Sequence, residues 1–318
     1  MLPHLRHFLC AGAMVGSAML SSAHEQTIQE RLGYPAEAKL LIIHGDDIGM
    51  SHAHNAATFA AMEKGVVTSA SVMMPTPWVL EVVDYAKAHP EADIGVHLTL
   101  TSEWKYYKSG PMAGKDTVPS LVTPEGVFHD NVPDYAAAAA LDEIEKEVRI
   151  QIDHALELGI DVTHLDGHMG VMTARDDIKA LFLKLGHEYQ LPLRVHSHAG
   201  ESVSDADLKA LFDNYEAGLT SIHGAPTSAY PAGMADHYDR VLRELKPGLN
   251  MIVLHVAFDG PEMQAITVDH PFWGAQWRQI DYDWATAPET KRIIDEEGII
   301  LIDHREVRDK LFSPHADH

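Results

Sequence analysis

Two adjacent carboxylates, Asp46 and Asp47, close the run KLLIIHGDDIG, in which four apolar residues lead through His44 and Gly45 to the acidic pair. Like charges that close resist ionising together unless a cation or a shared proton intervenes. The pair therefore suits a division of labour, one carboxylate binding a metal ion and the other acting as a base, with the two roles exchangeable at this stage. His97 lies between Val96 and Leu98, and His168 follows Asp166-Gly167. Asp47, His97 and His168 together offer one carboxylate and two imidazoles, a donor set for a divalent metal that leaves room for water or substrate. An ion so held acidifies water and polarises an acyl oxygen. Asp46 is the candidate base for that water, with turn or helix capping as its other use. His255, in MIVLHVA, is placed either to protonate a leaving amine or to serve as a hydrogen-bonded core histidine.

Residues this far apart meet only if the fold gathers them. An unbroken Leu/Ile run before a glycine turn suits a strand covered on both faces, which pushes polar groups to its C-terminal end. That end is where α/β folds keep their active sites. Strand candidates at Leu40–Asp47, Ser69–Met74, Ile94–Leu100, Asp161–Leu165, Leu193–His196, Thr220–His223, Asn250–Ala257 and Ile299–Ile302 alternate with helix candidates at Ser51–Lys64, Val79–His89, Leu141–Leu158, Asp177–Tyr189, Asp205–Glu216, Met234–Leu245 and Pro288–Glu297. The alternation predicts an α/β fold on one mainly parallel sheet, curled into a barrel or left open. Two irregular stretches, Ser102–Tyr135 and Phe258–Ala287, break the rhythm and read as long loops at the mouth.

The loops carry Trp104, Tyr106, Tyr107, Trp273 and Trp277, whose broad apolar faces suit either sugar rings or the pinning of the loops themselves. Asp166 is a candidate to orient an imidazole, His164 reads as a buried strand residue, and His52 and His54 read as surface or capping neighbours. The formal charge of -23 disfavours nucleic acid and anionic lipid, and no Lys/Arg run offsets it. Met1–Ala23 reads as a secretory signal, with Arg6 early, an apolar stretch from Phe8 to Leu20 and small residues at Ser21-Ser22-Ala23; a buried N-terminal helix is the alternative. The expectation is an exported protein, periplasmic or extracellular, without stable membrane insertion once the signal is removed, and with residues 24–318 as one catalytic domain. The sole cysteine, Cys10, lies within that signal, so the mature chain can form neither a disulfide nor a thiolate metal site.

Taken in order, HGDDIGMSHAHNAA, GVVTSASVMMPTP, IGVHLTLTS, THLDGHMG and LNMIVLHVA resemble the YdjC-like carbohydrate deacetylase family from about Leu40 to Ala257. The resemblance implies a distorted (β/α) barrel and metal-dependent removal of N-acetyl groups from amino sugars or N-acetylated oligosaccharides. It implies Asp46 as catalytic base, Asp47, His97 and His168 as ligands of a divalent ion, zinc or magnesium, and His255 near the general-acid position. Three positions depart from the family pattern: His44 replaces an asparagine, His168-Met169-Gly170 keeps one imidazole of a His-x-His, and Val256 replaces a proline.

Other chemistries fit less well. No G-x-S-x-G elbow or phosphate-binding loop is present, and adjacent carboxylates rarely flank one glycosidic bond. The remaining alternatives are a metal-dependent hydrolase of another bond and an exported, metal-containing carbohydrate-binding protein without turnover.

Overall fold

The computed structural model describes residues 26–194 and 219–312. The expected signal Met1–Ala23 with Cys10, the expected helix Asp205–Glu216 and the end of the expected strand Leu193–His196 lie outside the described residues.

The described chain runs α1 (Ile28–Arg31), β1 (Lys39–Ile48), α2 (His52–Lys64), β2 (Ser69–Val72), α3 (Val79–Ala88), β3 (Ile94–Leu98), α4 (Val132–Ala138), α5 (Leu141–Glu157), β4 (Val162–Gly167) and α6 (Asp176–Tyr189). It continues through β5 (Leu219–His223), α7 (Met234–Glu244), β6 (Gly248–Leu254), α8 (Pro261–Ile266), α9 (Ala275–Thr286), α10 (Pro288–Glu296), β7 (Ile299–Leu301) and α11 (His304–Leu311). The strands form one sheet in the order β4-β3-β2-β1-β6-β5, and β7 also pairs with β1. Every pairing is parallel, as the alternation requires. A further parallel bridge from Leu165 to Leu193 continues the sheet beyond β4.

β1 is the middle of this sheet. β6 follows one of its edges from Lys39 to Gly45. The other edge is shared, with β7 against Lys39–Leu41 and β2 taking over from His44. The Leu/Ile run is continuous because both of its faces are covered. Leu41 and Ile43 pack with Ala57 of α2, Leu242 of α7, Trp284 of α9 and Ile293 of α10. Leu40 and Ile42 face the other way, onto Leu249, Met251, Ile302 and Val307. Full burial of each such side chain contributes roughly 1.5–3 kcal/mol.

Three expectations shift. β4 runs on through Asp166-Gly167, which pair with His97 and Leu98. β6 stops at Leu254, so His255 lies just past the strand end. The stretch Phe258–Ala287 is largely helical, holding α8 and α9, because the buried face of α9 includes Arg278 and Asp281 beside Trp277 and Trp284, and polar residues hide its period. The loop after β3 is pinned by α5: Glu147 accepts from the Met112 and Ala113 N–H groups at 3.0 and 2.8 Å, and Gln151 bonds both backbone groups of Thr99.

Candidate active site

Neighbouring residues on a regular strand point to opposite faces. At the end of β1 the register shifts between Gly45 and Ile48, and Asp47 takes the left-handed backbone conformation, φ 67°. The irregularity turns both carboxylates into one cavity of about 830 Å³, which His97, His168 and His255 also line. A non-glycine residue held there costs on the order of 1–3 kcal/mol and persists only where its surroundings fix it. Two buried groups do so. Arg278 of α9 donates from Nη2 to Asp47 Oδ2 at 2.9 Å, and His54 of α2 donates from Nε2 to the Asp46 carbonyl at 2.7 Å. His54 Nδ1 in turn accepts from Arg278 Nη1 at 3.1 Å, so His54 is a neutral buried histidine and not a surface neighbour. Burial first, and Arg278 second, depress its pKa to about 3.

Asp47 Oδ1 lies 3.2 Å from both His97 Nε2 and His168 Nδ1, and the two nitrogens are 3.3 Å apart. The far nitrogen of each ring faces a carboxylate. His97 Nδ1 donates to Asp166 Oδ1 at 2.7 Å, and His168 Nε2 lies 3.0 and 3.1 Å from the oxygens of Glu103. These carboxylates hold the ring protons on the far side, leaving two lone pairs and one carboxylate oxygen turned toward a common point. Asp47 Oδ1 is buried and accepts no hydrogen bond from the described residues. Donors about 2.0–2.2 Å from a shared ion stand roughly 3–3.5 Å apart, so the triangle has the size a first-row divalent cation requires. The pKa values reflect the same crowding of negative charge. Burial alone would lower both imidazoles, but Asp166 and Asp46 raise His97 to about 9, and Glu103 and Asp47 raise His168 to about 10. A cation at that point replaces the protons those groups otherwise hold.

Asp46 stands beside the triangle. Burial would raise its pKa, yet the Arg194 guanidinium, with Nη2 2.8 Å from Oδ2, and then His97 hold it well below the usual carboxylate range. Arg194 also bonds Asp166 Oδ2, so one buried cation ties the candidate base to the carboxylate behind His97. Among the described residues nothing donates a hydrogen bond to Asp46 Oδ1: His44 Nε2 is 3.0 Å away but directed at Ser71 Oγ. Asp46 is thus anchored through Oδ2, the oxygen nearer the triangle at 3.9 Å from His97 Nε2, while Oδ1 is buried beside the His44 imidazole. His255 keeps its imidazole in the cavity, and burial, reinforced by Arg278, lowers its pKa to about 4 despite the nearby charge of Asp47.

Beneath Asp46 lies a second imidazole cluster, His44, His164 and His304, all buried. Ser69 Oγ bonds Nδ1 of both His44 and His304 at 2.9 Å and Asp93 Oδ1 at 2.9 Å. The rings of His164 and His304 stack, with centroids 3.8 Å apart and planes 19° apart, so their lone pairs run side by side and do not converge. This cluster is a hydrogen-bonded support for β1, β2 and β4. His44, the departure noted above, is therefore in contact with the candidate base.

The structure brings together all five sequence-predicted residues, Asp46, Asp47, His97, His168 and His255. Asp166 backs His97 as expected and His164 is a buried strand residue. Of the loop aromatics, Trp104 and Trp273 line the cavity. Trp277 is a core residue at 1% exposure, Tyr107 ties its loop to the Met50 carbonyl at 2.6 Å, and Tyr106 is solvent-exposed away from the cavity. The sequence reading missed Glu103, Arg194 and Arg278, each a single charged residue in a loop or helix whose partner lies far along the chain, and it missed Phe272 beside Trp273.

Fold and site together define a parallel α/β protein with a candidate mononuclear metal centre at the C-terminal ends of its strands. The chain belongs to the YdjC-like protein family, whose model matches residues 40–296. A carbohydrate deacetylase of Thermus thermophilus is 32% identical over 287 residues, covering 89% of this chain and 98% of the relative. One from Thermoanaerobacter pseudethanolicus is 26% identical over 267 residues, with 84% and 98% covered. Among solved structures, an Enterococcus faecalis V583 protein described as a candidate for cellobiose-phosphate cleavage is similar with a TM-score of 0.70 and 27% identity, covering 85% of this chain and 99% of that one.

Proposed function

We propose that this protein is a metal-dependent carbohydrate deacetylase that hydrolyses the N-acetyl amide of amino sugars. The observation that carries the reading is the triangle of Asp47 Oδ1, His97 Nε2 and His168 Nδ1, beside the Asp46 carboxylate in a cavity large enough for a sugar. The names of the relatives supply the substrate class. A divalent ion held by Asp47, His97 and His168, zinc or magnesium, supplies Lewis acidity toward the acyl oxygen and toward water. Asp46 takes the proton from the attacking water, while Arg194 keeps the carboxylate ionised and fixed. His255, neutral in the resting cavity, takes up the proton that Asp46 has removed from water and gives it to the amine nitrogen as the C–N bond breaks and acetate leaves. Arg278 holds Asp47 in the conformation that brings its Oδ1 to the imidazoles. We read Met1–Ala23 as an export signal, which puts the substrate outside the cytoplasm; the N-terminal mass of the exported protein tests that.

The test is acetate release from a panel of N-acetylated mono- and oligosaccharides, with chelator and with zinc or magnesium restored. Activity is expected to vanish with chelator and return with metal. Asp46→Asn is expected to lower kcat by about 10²–10⁴ with metal content intact. Sugar binding that survives chelator and Asp46→Asn with no acetate released by the wild type would instead identify a binding protein.

A further inference from the structure

Asp46 Oδ1 is buried, and among the described residues no group donates a hydrogen bond to it. A carboxylate oxygen in that position costs free energy unless a cation stands against it. Arg194 is on the other oxygen, Oδ2. What stands against Oδ1 is His44, whose Nε2 lies 3.0 Å from Asp46 Oδ1 and 3.2 Å from Asp166 Oδ2. The residue is wholly buried and occupies the position where the family pattern has asparagine.

The charge on this ring follows from counting hydroxyl protons. Ser69 Oγ is 2.9 Å from His44 Nδ1, from His304 Nδ1 and from Asp93 Oδ1. A hydroxyl has one proton to give, and an ionised carboxylate can only accept. Asp93 is ionised, because it also accepts from Thr163 Oγ1 and from the Arg305 N–H, each at 2.7 Å. The Ser69 proton therefore goes to Asp93, and His44 Nδ1 must bring its own. Nε2 repeats the pattern. Ser71 Oγ is 3.1 Å from it and 3.0 Å from Asp166 Oδ2, and Asp166 accepts from Arg194 Nη2 and from His97 Nδ1 as well. Ser71 spends its proton on Asp166, so Nε2 also carries a hydrogen. A ring protonated at both nitrogens is an imidazolium.

The surroundings balance that charge. Asp46 and Asp166 supply two negative charges, and Arg194 and His44 supply two positive ones. His164 and His304, edge-on to the ring at 5.0 and 5.6 Å between centroids, have pKa values lowered by burial and stay neutral. Burial disfavours the charge on His44 and Arg194 opposes it, yet Asp166 and then Asp46 outweigh both and raise its pKa above the ordinary value.

We infer that His44 is a buried imidazolium that positions Asp46: it holds Oδ1 while Arg194 holds Oδ2, which fixes the carboxylate plane and keeps Oδ2 turned toward His97. This rests on the deacetylase reading, in which Asp46 is the base. An asparagine at position 44 brings a neutral amide, so Asp46 and Asp166 would share Arg194 alone and the Asp46 carboxylate could turn about that contact. His44 is a positioning residue and acts on the reaction only through Asp46.

The test has two arms. In the first, long-range proton–nitrogen NMR of the zinc-loaded, histidine-labelled protein at pH 8 reads the His44 ring, assigned through its backbone. Hydrogens on both nitrogens support the inference, and a neutral tautomer overturns it, whether or not any variant folds. In the second, acetate release from the N-acetylated β-linked glucosamine disaccharide is compared for wild type, His44→Asn, Asp46→Asn and the double variant. His44→Asn is expected to lower kcat by roughly tenfold to a hundredfold with KM and zinc content unchanged, as for a displaced catalytic group. In the Asp46→Asn background the same change is expected to cost nothing further, because the group it positions is gone. An unchanged kcat, or a loss that repeats in full without Asp46, overturns the positioning role and makes His44 a packing residue. A wild type that releases no acetate sinks the deacetylase reading alone, and the spectrum still decides whether His44 is the cation inferred.

Discussion

At the scale of single residues, the site is decided by what stands behind each imidazole. Asp166 and Glu103 keep the protons of His97 and His168 away from Asp47 Oδ1, and without them either ring can turn its N–H inward. Glu103→Gln is expected to weaken metal affinity by roughly 10–100-fold with the fold unchanged, measured by competition with a chromophoric chelator. Affinity equal to wild type would reduce Glu103 to a loop anchor. The residues of the candidate metal triangle were legible in the sequence because strand ends collect polar groups and the apolar runs announce the strands. Glu103, Arg194 and Arg278 were not, since a lone arginine or glutamate reads as a solvated surface charge until the fold brings its partner to it. Arg194 and Arg278 are at 1% and 0% exposure.

At the scale of elements, β1, β3 and β4 were read from their Leu, Ile and Val runs, α5 from its amphipathic period and α2 from Ser51 at its start and Gly65 at its stop. α9 was missed because function has replaced part of its apolar stripe: Arg278 and Asp281 occupy buried positions. Asp281 accepts from the His255 N–H at 2.9 Å and the Tyr238 hydroxyl at 2.8 Å, and burial pushes its pKa up to about 7. Close approach between β3 and β4 imposes a different constraint. A Cβ on Gly95 would meet three atoms of the His164 ring, which cannot swing away because it stacks on His304. Gly95→Ala is therefore expected to destabilise the protein by about 1–3 kcal/mol, measured by urea denaturation. Unchanged stability would mean that the imidazole cluster under the site yields easily.

At the scale of the whole molecule, neutral histidines in the core and on the cavity wall make the protein sensitive to acid. His54, near pKa 3, and His255, near pKa 4, refuse protons that the unfolded chain accepts below about 6.5. Through these two groups the unfolded state binds more protons than the native state, so their contribution is full above pH 6.5 and falls as pH drops below it, while Asp281, held up near 7, offsets part of the fall. Each such group contributes about 1.4 kcal/mol per pH unit in that window. Urea unfolding at pH 7, 6 and 5 should show the decline, and His54→Gln, which keeps a donor and an acceptor, should flatten it by about that amount; an unaltered slope would rule His54 out as a source. The order of synthesis meets a separate difficulty in the shared edge of β1. The central strand is made among the first residues, yet its lower half pairs with β7, and His304 of α11 braces it from beneath. Contacts so distant along the chain close late and slowly. Until β7 has been made, the LLII segment has no strand on that edge, and a chain cut before Ile299 would leave the centre of the sheet open to pairing with another copy.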